Sequence, residues 1–378
     1  MVPLQTIPAR FVPSKDVLTY LNGRTWITSF SGGKDSTSLV TWIEWLRRVG
    51  FVRCDQPHLV MSDTTVEYLF LQLIARRMID ALRASGWHCK IVTPPINQKL
   101  FNRIFGIGNV PVHPGNRKKM RWCTRATKID PMSRFAKLLG GDTLQLSGVR
   151  WGESDIRDGK LKAAGCAAGG ECGLPDPGER VKGPIIDWTL CKVIDWLSGR
   201  AGDDVSATIA DLLPIMLDLV NVYDVKLDAV GMFDVPPKVT SLRFGCVGCP
   251  AITNEKITKS KSADPRWFVL RRIWGIWQQL YRRENRCCRI KPIADAPSGP
   301  KPIWWSRHVG FGPLRIAARR KYFAEFMEIQ RAAGLVLVTA DDERFIRQCW
   351  RKKVYPRGWS EADELVMPPE EPNLYIGV

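Results

Sequence analysis

The chain has 378 residues, which is enough for one large α/β domain and a smaller one. Its 45% hydrophobic and 25% charged residues are ordinary for a globular protein, so neither a disordered chain nor a coiled coil fits. The formal charge of +18 is concentrated between Lys238 and Arg357, where 26 Lys/Arg oppose 9 Asp/Glu, a difference of 17. Such a field favours a polyanionic partner, and a merely solvated basic surface is the alternative.

Two further properties of the composition concern location. No apolar run approaches the roughly 18 residues that a bilayer-spanning helix needs, and Met1 to Ser14 lacks the apolar core of a signal peptide. We therefore expect a cytoplasmic protein without a membrane partner. In that compartment the 11 cysteines indicate reduced thiols, and they suggest a metal or iron–sulfur site.

The first half of the sequence alternates apolar runs with helical patterns. This βαβα order predicts an α/β fold with a mostly parallel sheet and flanking helices. Predicted strands cover residues 26–30, 58–61, 90–93 and 143–148, and predicted helices cover residues 37–48, 68–85 and 191–197.

Beyond Val235-Pro236-Pro237 the sequence becomes rich in tryptophan and arginine, with helical patterns over Arg266 to Arg283 and Pro313 to Ala333. We therefore predict a basic, mainly helical C-terminal domain. The predicted division is a nucleotide-binding domain over 1–235, a basic cysteine-containing domain over 236–357, and an acidic, proline-containing tail over 358–378.

The hexapeptide Ser31-Gly32-Gly33-Lys34-Asp35-Ser36 lies between a predicted strand and a predicted helix. Backbone N–H groups and the helix N-terminus would converge there, which suits an anion. The glycines permit close approach to phosphate oxygens, the serines add hydroxyl donors, Lys34 adds charge, and Asp35 is left free for a magnesium ion. An ordinary turn with a Ser or Asp cap is the alternative. The loop is not a Walker A motif, because Thr28 occupies the upstream glycine position and Asp35 follows Lys34.

In its strand–loop–helix context, the hexapeptide resembles the PP-loop signature of N-type ATP pyrophosphatases and of the related sulfonucleotide reductases. The resemblance implies an adenine nucleotide alpha hydrolase-like fold. It also implies ATP with Mg²⁺ as cofactor, bound by Ser31, Gly32, Gly33, Lys34, Asp35 and Ser36, with Asp63 of the segment Ser62 to Glu67 beside the nucleotide. As a lone feature, the Asp63 segment equally fits a helix cap.

Several shorter segments follow in order along the chain. They are Arg121-Trp122-Cys123-Thr124-Arg125, Gly148-Val149-Arg150-Trp151-Gly152-Glu153-Ser154 with Arg157, Leu242 to Pro250, Gly312 to Arg320, and Phe345-Ile346-Arg347 with Trp350. Together with the PP-loop, they resemble the DNA phosphorothioation sulfur-transfer family (DndC/SspD type) within the PAPS reductase-like group. The resemblance spans Ser29 to Arg351.

This resemblance implies an ATP-dependent sulfurtransferase that activates the DNA backbone phosphate by adenylation, with release of pyrophosphate. Its partners would be DNA, a cysteine desulfurase as sulfur donor, and other phosphorothioation proteins. The implied catalytic residues are Lys34, Asp35, Arg150, Glu153 and Arg157. Because Glu153 and Arg157 are four residues apart, a structural ion pair is the alternative role for those two.

The same resemblance implies a [4Fe–4S] cluster bound by cysteines. Cys246 and Cys249 form a C-x-x-C, and Cys123 matches the cysteine of the Trp-Cys-Thr element. The fourth ligand is left open between Cys288, Cys287 and Cys172. A tetrahedral zinc site and unligated core cysteines are the alternatives.

Cys172 also belongs to Glu171-Cys172-Gly173-Leu174, which resembles the redox-active tetrapeptide of sulfonucleotide reductases. In those enzymes the tetrapeptide is C-terminal, whereas here it lies mid-chain.

Arg282, Arg283, Arg286 and Arg289 are the predicted nucleic-acid contacts, with a solvated basic face as the alternative. Trp274 and Trp277 are three residues apart and are predicted to pack a helix core instead of stacking on bases.

Three other functions keep parts of this interpretation: a PAPS or APS reductase, a tRNA thiolase of the PP-loop iron–sulfur kind, and a non-catalytic, nucleotide-sensing DNA-binding subunit. The intact hexapeptide argues against the last.

Overall fold

The computed structural model describes residues 9–23, 25–112, 122–140, 143–152, 158–159, 171–173, 180–223, 246–251, 265–292 and 307–364. They form two compact units. Described residues within Met1–Asp63, Glu67–Thr93 and Ile129–Phe244 make up the first unit, and those within Thr64–Val66, Pro94–Lys128 and Gly245–Val378 make up the second.

The sequence-based division remains a prediction, since position 235 and residues 365–378 lie outside the described residues. The second unit includes Pro94–Lys128, which that division assigns to the first domain. The physical reason is aromatic packing: Phe101 contacts Phe326 with ring centroids 4.5 Å apart, and Phe105 lies 6.2 Å from Trp277.

The first unit is built on a six-stranded sheet in the order β3-β2-β1-β4-β6-β5. All neighbouring strands are parallel except β5, which runs antiparallel to β6. The strands are β1 (Trp26–Phe30), β2 (His58–Ser62), β3 (His88–Val92), β4 (Leu144–Leu146), β5 (Glu171–Gly173) and β6 (Arg180–Lys182). The predicted α/β fold with a parallel sheet is therefore confirmed.

Seven helices of the described chain belong to the first unit. They are α1 (Lys15–Gly23), α2 (Lys34–Arg48), α3 (Leu69–Ala84), α4 (Asp130–Leu138), α5 (Leu190–Leu197), α6 (Asp203–Thr208) and α7 (Leu213–Val222). Helix α2 is unusually buried, since Leu39, Trp42, Ile43 and Leu46 all lie in one hydrophobic core with residues from the strands and from α3, α5 and α7. Burying large apolar side chains on this scale is the main force that holds a helix layer on a sheet.

Strand β1 lies between β2 and β4, and this arrangement determines where a ligand would bind. Thr28 of β1 is in register with Leu59 of β2 on one side and Leu146 of β4 on the other. The strand order switches sides at β1, because β2 and β3 extend the sheet on one side of β1 and β4 and β6 extend it on the other. Open parallel sheets bind ligands at the carboxyl edge of such a switch point.

The second unit combines helices with one antiparallel ladder. Its longer helices are α8 (Pro265–Leu270), α9 (Arg272–Tyr281), α10 (Ile316–Ala333) and α11 (Ala340–Arg351), and its strands are β7 (Arg286–Pro292) and β8 (Arg307–Leu314). A π-helix over Asn102–Ile107 and a short helix over Trp122–Thr124 precede them. The predicted helical character is confirmed for 265–281 and 316–333, and β7 with β8 adds strands that the helical patterns do not predict.

Within the described residues, none of the helices is both long enough and apolar enough to cross a membrane.

Candidate functional site

The loop from Ser31 to Gly33 joins β1 to α2, which begins at Lys34, three residues earlier than predicted. Gly32 has a positive φ of +70°, and a Cβ atom there would lie 2.7 Å from the Cβ of Ala75 on α3. Glycine is therefore required for both conformation and space. Gly33 is extended and, having no side chain, leaves the N-terminus of α2 without a side-chain cap. The strand–loop–helix context of the hexapeptide is thus observed, and its role as a PP-loop stays a prediction.

Hydrogen bonds within the loop hold its shape. The hydroxyls of Ser31 and Ser36 are 3.0 Å apart, and the backbone N–H of Ser31 donates to Ser36 Oγ over 3.2 Å. The hydroxyl of Ser36 also donates a hydrogen bond to the carbonyl oxygen of Gly33 over 3.1 Å. The two serines predicted as ligands are thus joined to each other, which fixes the shape of the loop.

Two buried cations meet on one carboxylate beside this loop. Lys34 Nζ lies 3.1 Å from Asp35 Oδ2, and Arg150 Nε donates to Asp35 Oδ1 over 2.5 Å. Lys34 is 6% exposed and Arg150 5%. The expectation that Asp35 is free for magnesium differs from this structure, in which both carboxylate oxygens are ion-paired. A Mg²⁺ ion at Asp35 would share the carboxylate with these two cations or displace one of them.

Arg150 reaches Asp35 because it follows β4, the strand beside β1. Gly148 makes the approach close: a Cβ atom at this position would lie 2.9 Å from the carbonyl carbon and oxygen of Asp35 and from the backbone nitrogen of Ser36. Backbone atoms cannot move aside as side chains can, so only glycine fits. Gly148 begins the motif Gly148 to Ser154, but that motif does not predict this contact with the loop.

Tyr223, just after α7, is a further residue of the site that sequence analysis misses. Its hydroxyl accepts a hydrogen bond from the backbone N–H of Lys34 over 3.4 Å, and Lys34 Nζ lies 5.3 Å from the centre of its ring. The ring therefore supports the lysine through a cation–π contact. No local signal identifies a tyrosine 189 residues away from its partner.

Asp63 follows β2 and is held by hydrogen bonds of both its backbone and its side chain. Its backbone N–H donates to the carbonyl of Val92, and its carboxylate accepts from Gln72 over 3.3 Å and from Arg76 over 3.0 Å. Arg76 is half-exposed. Asp63 thus lies at the carboxyl end of β2, the edge at which open parallel sheets bind ligands. Glu153 and Arg157, the other predicted catalytic residues, lie outside the described residues.

Cys246 and Cys249 form a turn in the second unit, with the N–H of Cys249 donating to the carbonyl of Cys246 over 3.1 Å. Two indole N–H groups of α9 hold this turn. Trp274 donates to the carbonyl of Cys249 over 3.2 Å, and Trp277 donates to that of Gly248 over 2.6 Å. Trp277 is buried as predicted, and both tryptophans also position the C-x-x-C, a role that the helical pattern does not predict.

The other candidate ligands are dispersed along the chain. Cys123 lies in the Trp122–Thr124 helix, Cys288 in β7 and Cys172 in β5. The structure describes only the backbone at Cys288 and Cys172. Cys287 is buried, and that burial raises the pKa of its thiol to about 11. Within the described part of the chain, no three Cys, His, Asp or Glu side chains converge as metal ligands do. The described side chains alone therefore do not form a cluster or zinc site.

The predicted nucleic-acid contacts lie at the start of the β7–β8 ladder. Arg282 and Arg283 are exposed, whereas Arg286 is half-buried and its Nε donates to the carbonyl of Gly312 over 3.1 Å. Burial lowers the pKa of Arg286. Arg289 is part of β7, and its side chain is outside the description. Among the three described side chains of the set, those of Arg282 and Arg283 are accordingly the accessible ones.

Comparison with known proteins gives few matches. No family model matches the chain, and no curated protein matches it. Among solved structures, the chain is similar to a phosphoadenylyl-sulfate (PAPS) reductase from Candida auris in a phosphate complex, with a TM-score of 0.34 and 13% identity over 53% of this chain and 85% of that one.

Proposed function

We propose that this chain is a PP-loop enzyme that binds ATP at Ser31–Ser36 and uses it to activate a DNA backbone phosphate for sulfur insertion. One observation carries the nucleotide half of the proposal. Lys34 and Arg150, both buried, meet beside a glycine loop at the carboxyl edge of the sheet, where β1 and β4 are neighbours.

Buried cations need compensating charge, because burial without a partner is costly. Asp35 supplies that charge to both Lys34 and Arg150. A phosphate group would supply it equally well, and the N-terminus of α2, whose first N–H already donates to Tyr223, adds its other N–H donors for the same anion. Binding of ATP would then release the Asp35 carboxylate, which could bind Mg²⁺. The proposed exchange accounts for both the observed ion pairs and the predicted magnesium ligand.

The proposed reaction uses the second phosphate as nucleophile. A non-bridging oxygen of the DNA phosphate would attack the α-phosphorus of ATP, and pyrophosphate would leave to give a mixed anhydride of AMP and the DNA phosphate. The outer sulfur of a persulfide would then attack the DNA phosphorus, and AMP would leave with the oxygen. A thiol would next attack the inner sulfur of the resulting S–S bond, which releases the DNA phosphorothioate and leaves a disulfide. Arg150, already paired with Asp35 in the loop Ser31–Ser36 (the proposed phosphate grip), could stabilise the developing negative charge together with Lys34.

The DNA half of the proposal is supported by the basic stretch and by the family resemblance of the motifs. The cysteine desulfurase and the other phosphorothioation partners rest on the same resemblance. A [4Fe–4S] cluster would supply redox or sulfur-carrying chemistry through Cys123, Cys246, Cys249 and a fourth cysteine. The described side chains do not form such a site, so the proposed reaction does not depend on a cluster.

The test is pyrophosphate release from ATP by anaerobically purified protein, with and without DNA. We expect DNA to stimulate release, and Lys34→Ala to reduce it by about 100-fold or more, the size of effect seen when one charge-stabilising group is removed. Arg150→Ala should act similarly. The matched control is Lys15→Ala, an exposed lysine in α1, which should leave release unchanged.

Three results would overturn the proposal. The absence of DNA-stimulated pyrophosphate release would contradict DNA activation. Sulfite release from PAPS or APS with thioredoxin, without ATP, would instead identify a sulfonucleotide reductase. Stimulation by tRNA and not by DNA would identify an RNA thiolase. Separately, loss of a brown colour in Cys246→Ser, Cys249→Ser would distinguish an iron–sulfur cluster from zinc.

A further inference from the structure

A groove of about 960 Å³ runs between α10 and α11 of the second unit. Its floor is apolar and aromatic, and the two helices meet there through an edge-to-face contact of Phe323 with Trp350, with ring centroids 5.5 Å apart. Arginine side chains form both sides. Arg320 and Arg331 project from α10, and Arg344, Arg347 and Arg351 from α11.

The two walls of the groove are held in place by buried polar contacts. The loop between the helices is closed by Gln330, whose side chain accepts from the N–H groups of Leu337 and Val338 and donates to the carbonyl of Val338. Helix α11 begins at a capping box formed by Thr339 and Asp342. These contacts preorganise the groove, which reduces the entropic cost of binding a partner.

The groove carries more positive than negative side chains, and its ion pairs do not use all of the positive ones. Five arginines line it against two glutamates, Glu328 and Glu343. Arg347 pairs with Glu343 and Arg344 with Asp341. The remaining three, Arg320, Arg331 and Arg351, are exposed and have no carboxylate partner among the described residues. Three guanidinium groups without an ion pair thus face one groove, against one glutamate, Glu328, that these ion pairs do not use.

We propose that this groove binds a nucleic-acid strand through its phosphates. Guanidinium groups present fixed pairs of donors that match phosphate oxygens, and every cation of the groove is an arginine. Arg320 and Arg331 are 11 residues apart on α10, so they lie about 16 Å apart along the helix at 1.5 Å per residue. That length corresponds to about five nucleotides of one strand at 3.4 Å each.

The floor of the groove favours a phosphate backbone over an acidic peptide. Amphipathic peptides bind grooves by inserting apolar anchors against exposed apolar surface. Here Phe323 is only 2% exposed and Trp350 only 7%. Arg320 and Arg347 lie over the Trp350 ring, at 5.8 and 6.0 Å from its centre. Ala324 and Met327 leave apolar surface accessible on the floor, while the groups that would contact a polyanion are guanidinium groups, which read charge and not base sequence.

The choice of nucleic acid also rests on the proposed function, which takes DNA as substrate. The groove residues are separate from those of the phosphate grip, so binding and chemistry can be measured independently. The test measures binding of a fluorescein-labelled 20-nucleotide single strand and of the matching duplex by anisotropy, without ATP and at several salt concentrations. A labelled poly-glutamate peptide of similar charge is the third probe.

The variant replaces the three unpaired cations together, as Arg320→Gln, Arg331→Gln and Arg351→Gln. We expect DNA binding to weaken at least 10-fold, and the slope of log K against log salt to become shallower by about 2.7 for three lost duplex contacts, or about 2.1 for single strands. The probe with the larger loss identifies the bound form. The matched control is Arg53→Gln, Arg134→Gln and Lys137→Gln, three exposed cations outside the groove that remove the same charge.

Wild-type DNA affinity in the groove variant, or equal losses in groove and control variants, would overturn the inference. So would tight binding of the peptide with no binding of DNA. Circular dichroism confirms that both variants are folded. DNA binding through the groove without DNA-stimulated pyrophosphate release would sink the proposed function alone. Conversely, normal stimulated release by a groove variant that binds DNA normally would sink the groove alone.

Discussion

The phosphate grip and the Cys246–Cys249 turn are both glycine-containing turns, but they are held by different means. The grip is closed by its own Ser31 and Ser36 and lies at the start of the helix that follows it. The cysteine turn is held from outside, by indole N–H groups of Trp274 and Trp277 on α9. A turn stabilised by its own sequence keeps its shape locally, whereas a turn held by distant side chains depends on the packing of its whole unit.

Trp277→Ala tests the second half of this comparison and should have the largest effect. It removes a buried ring that packs on Phe101 and Phe105 as well as the hydrogen bond to Gly248. We expect a loss of about 3–5 kcal/mol in the free energy of unfolding, measured with urea. Gly275→Ala on the same helix has nothing within 4 Å of the new Cβ, and should stabilise the protein by about 0.5–1 kcal/mol. Equal stabilities of the two variants would contradict the dependence of this unit on long-range packing.

Asp342→Asn tests another long-range support of the second unit. Asp342 is buried and accepts from Lys99 over 2.9 Å and from Asn102 over 2.7 Å. Burial alone would raise its pKa, but the hydrogen bonds from Lys99, Asn102 and Thr339 outweigh it and hold the pKa below its ordinary 3.8. We expect a loss of about 2 kcal/mol at pH 7, below the 3–5 kcal/mol of a fully buried pair because Lys99 is partly exposed.

The sign of the pH dependence follows from that lowered pKa. The carboxylate contributes stability above its unfolded-state pKa, and this contribution is lost as the pH falls through the lower folded-state value. The difference in melting temperature between wild type and Asp342→Asn should therefore be largest at pH 5–7 and should shrink below about pH 4. Asp341→Asn, an exposed neighbour, should show little difference at any pH. A gap that stays constant down to pH 3 would show that Asp342 is not a stabilising carboxylate.

Gly148→Ala tests the Ser31–Ser36 loop, the first region of the comparison. Gly148 brings a second backbone segment close to this loop, in addition to the hydrogen bonds between its own serines. The new methyl group would meet the backbone of Asp35 and Ser36 at 2.9 Å, so the loop must shift. We expect ATP binding to weaken at least 10-fold, about 1.4 kcal/mol, by isothermal titration calorimetry. Gly23→Ala, with open space around the Cβ, should bind ATP normally. Normal ATP affinity in Gly148→Ala would show that the grip tolerates displacement.

The two regions also differ in what could be predicted. Strands β1 to β4, helices α2, α3 and α5 and the Ser31–Ser36 loop follow from apolar periodicity and a contiguous motif, so they could be predicted from the sequence. The short strands β5 and β6 are not among the predicted elements. The contacts of Gly148 and Tyr223 with the loop arise only when β4 and α7 are brought to it by the fold. The same holds for the ion pairs of Asp35, since Arg150 is 115 residues away.

Tyr223→Phe should have the smallest effect, because it removes one hydroxyl and keeps the ring beneath Lys34. The lost hydrogen bond to the Lys34 N–H is long, at 3.4 Å, and a net contribution of about 0.5–1 kcal/mol to the free energy of unfolding is expected. Tyr223→Leu also removes the cation–π contact and should cost more, with the difference between the two variants reporting the ring's share. If the grip keeps its shape through its own serines, ATP affinity in Tyr223→Phe should change less than threefold. A larger loss would mean that this grip, like the cysteine turn, is held by a distant side chain.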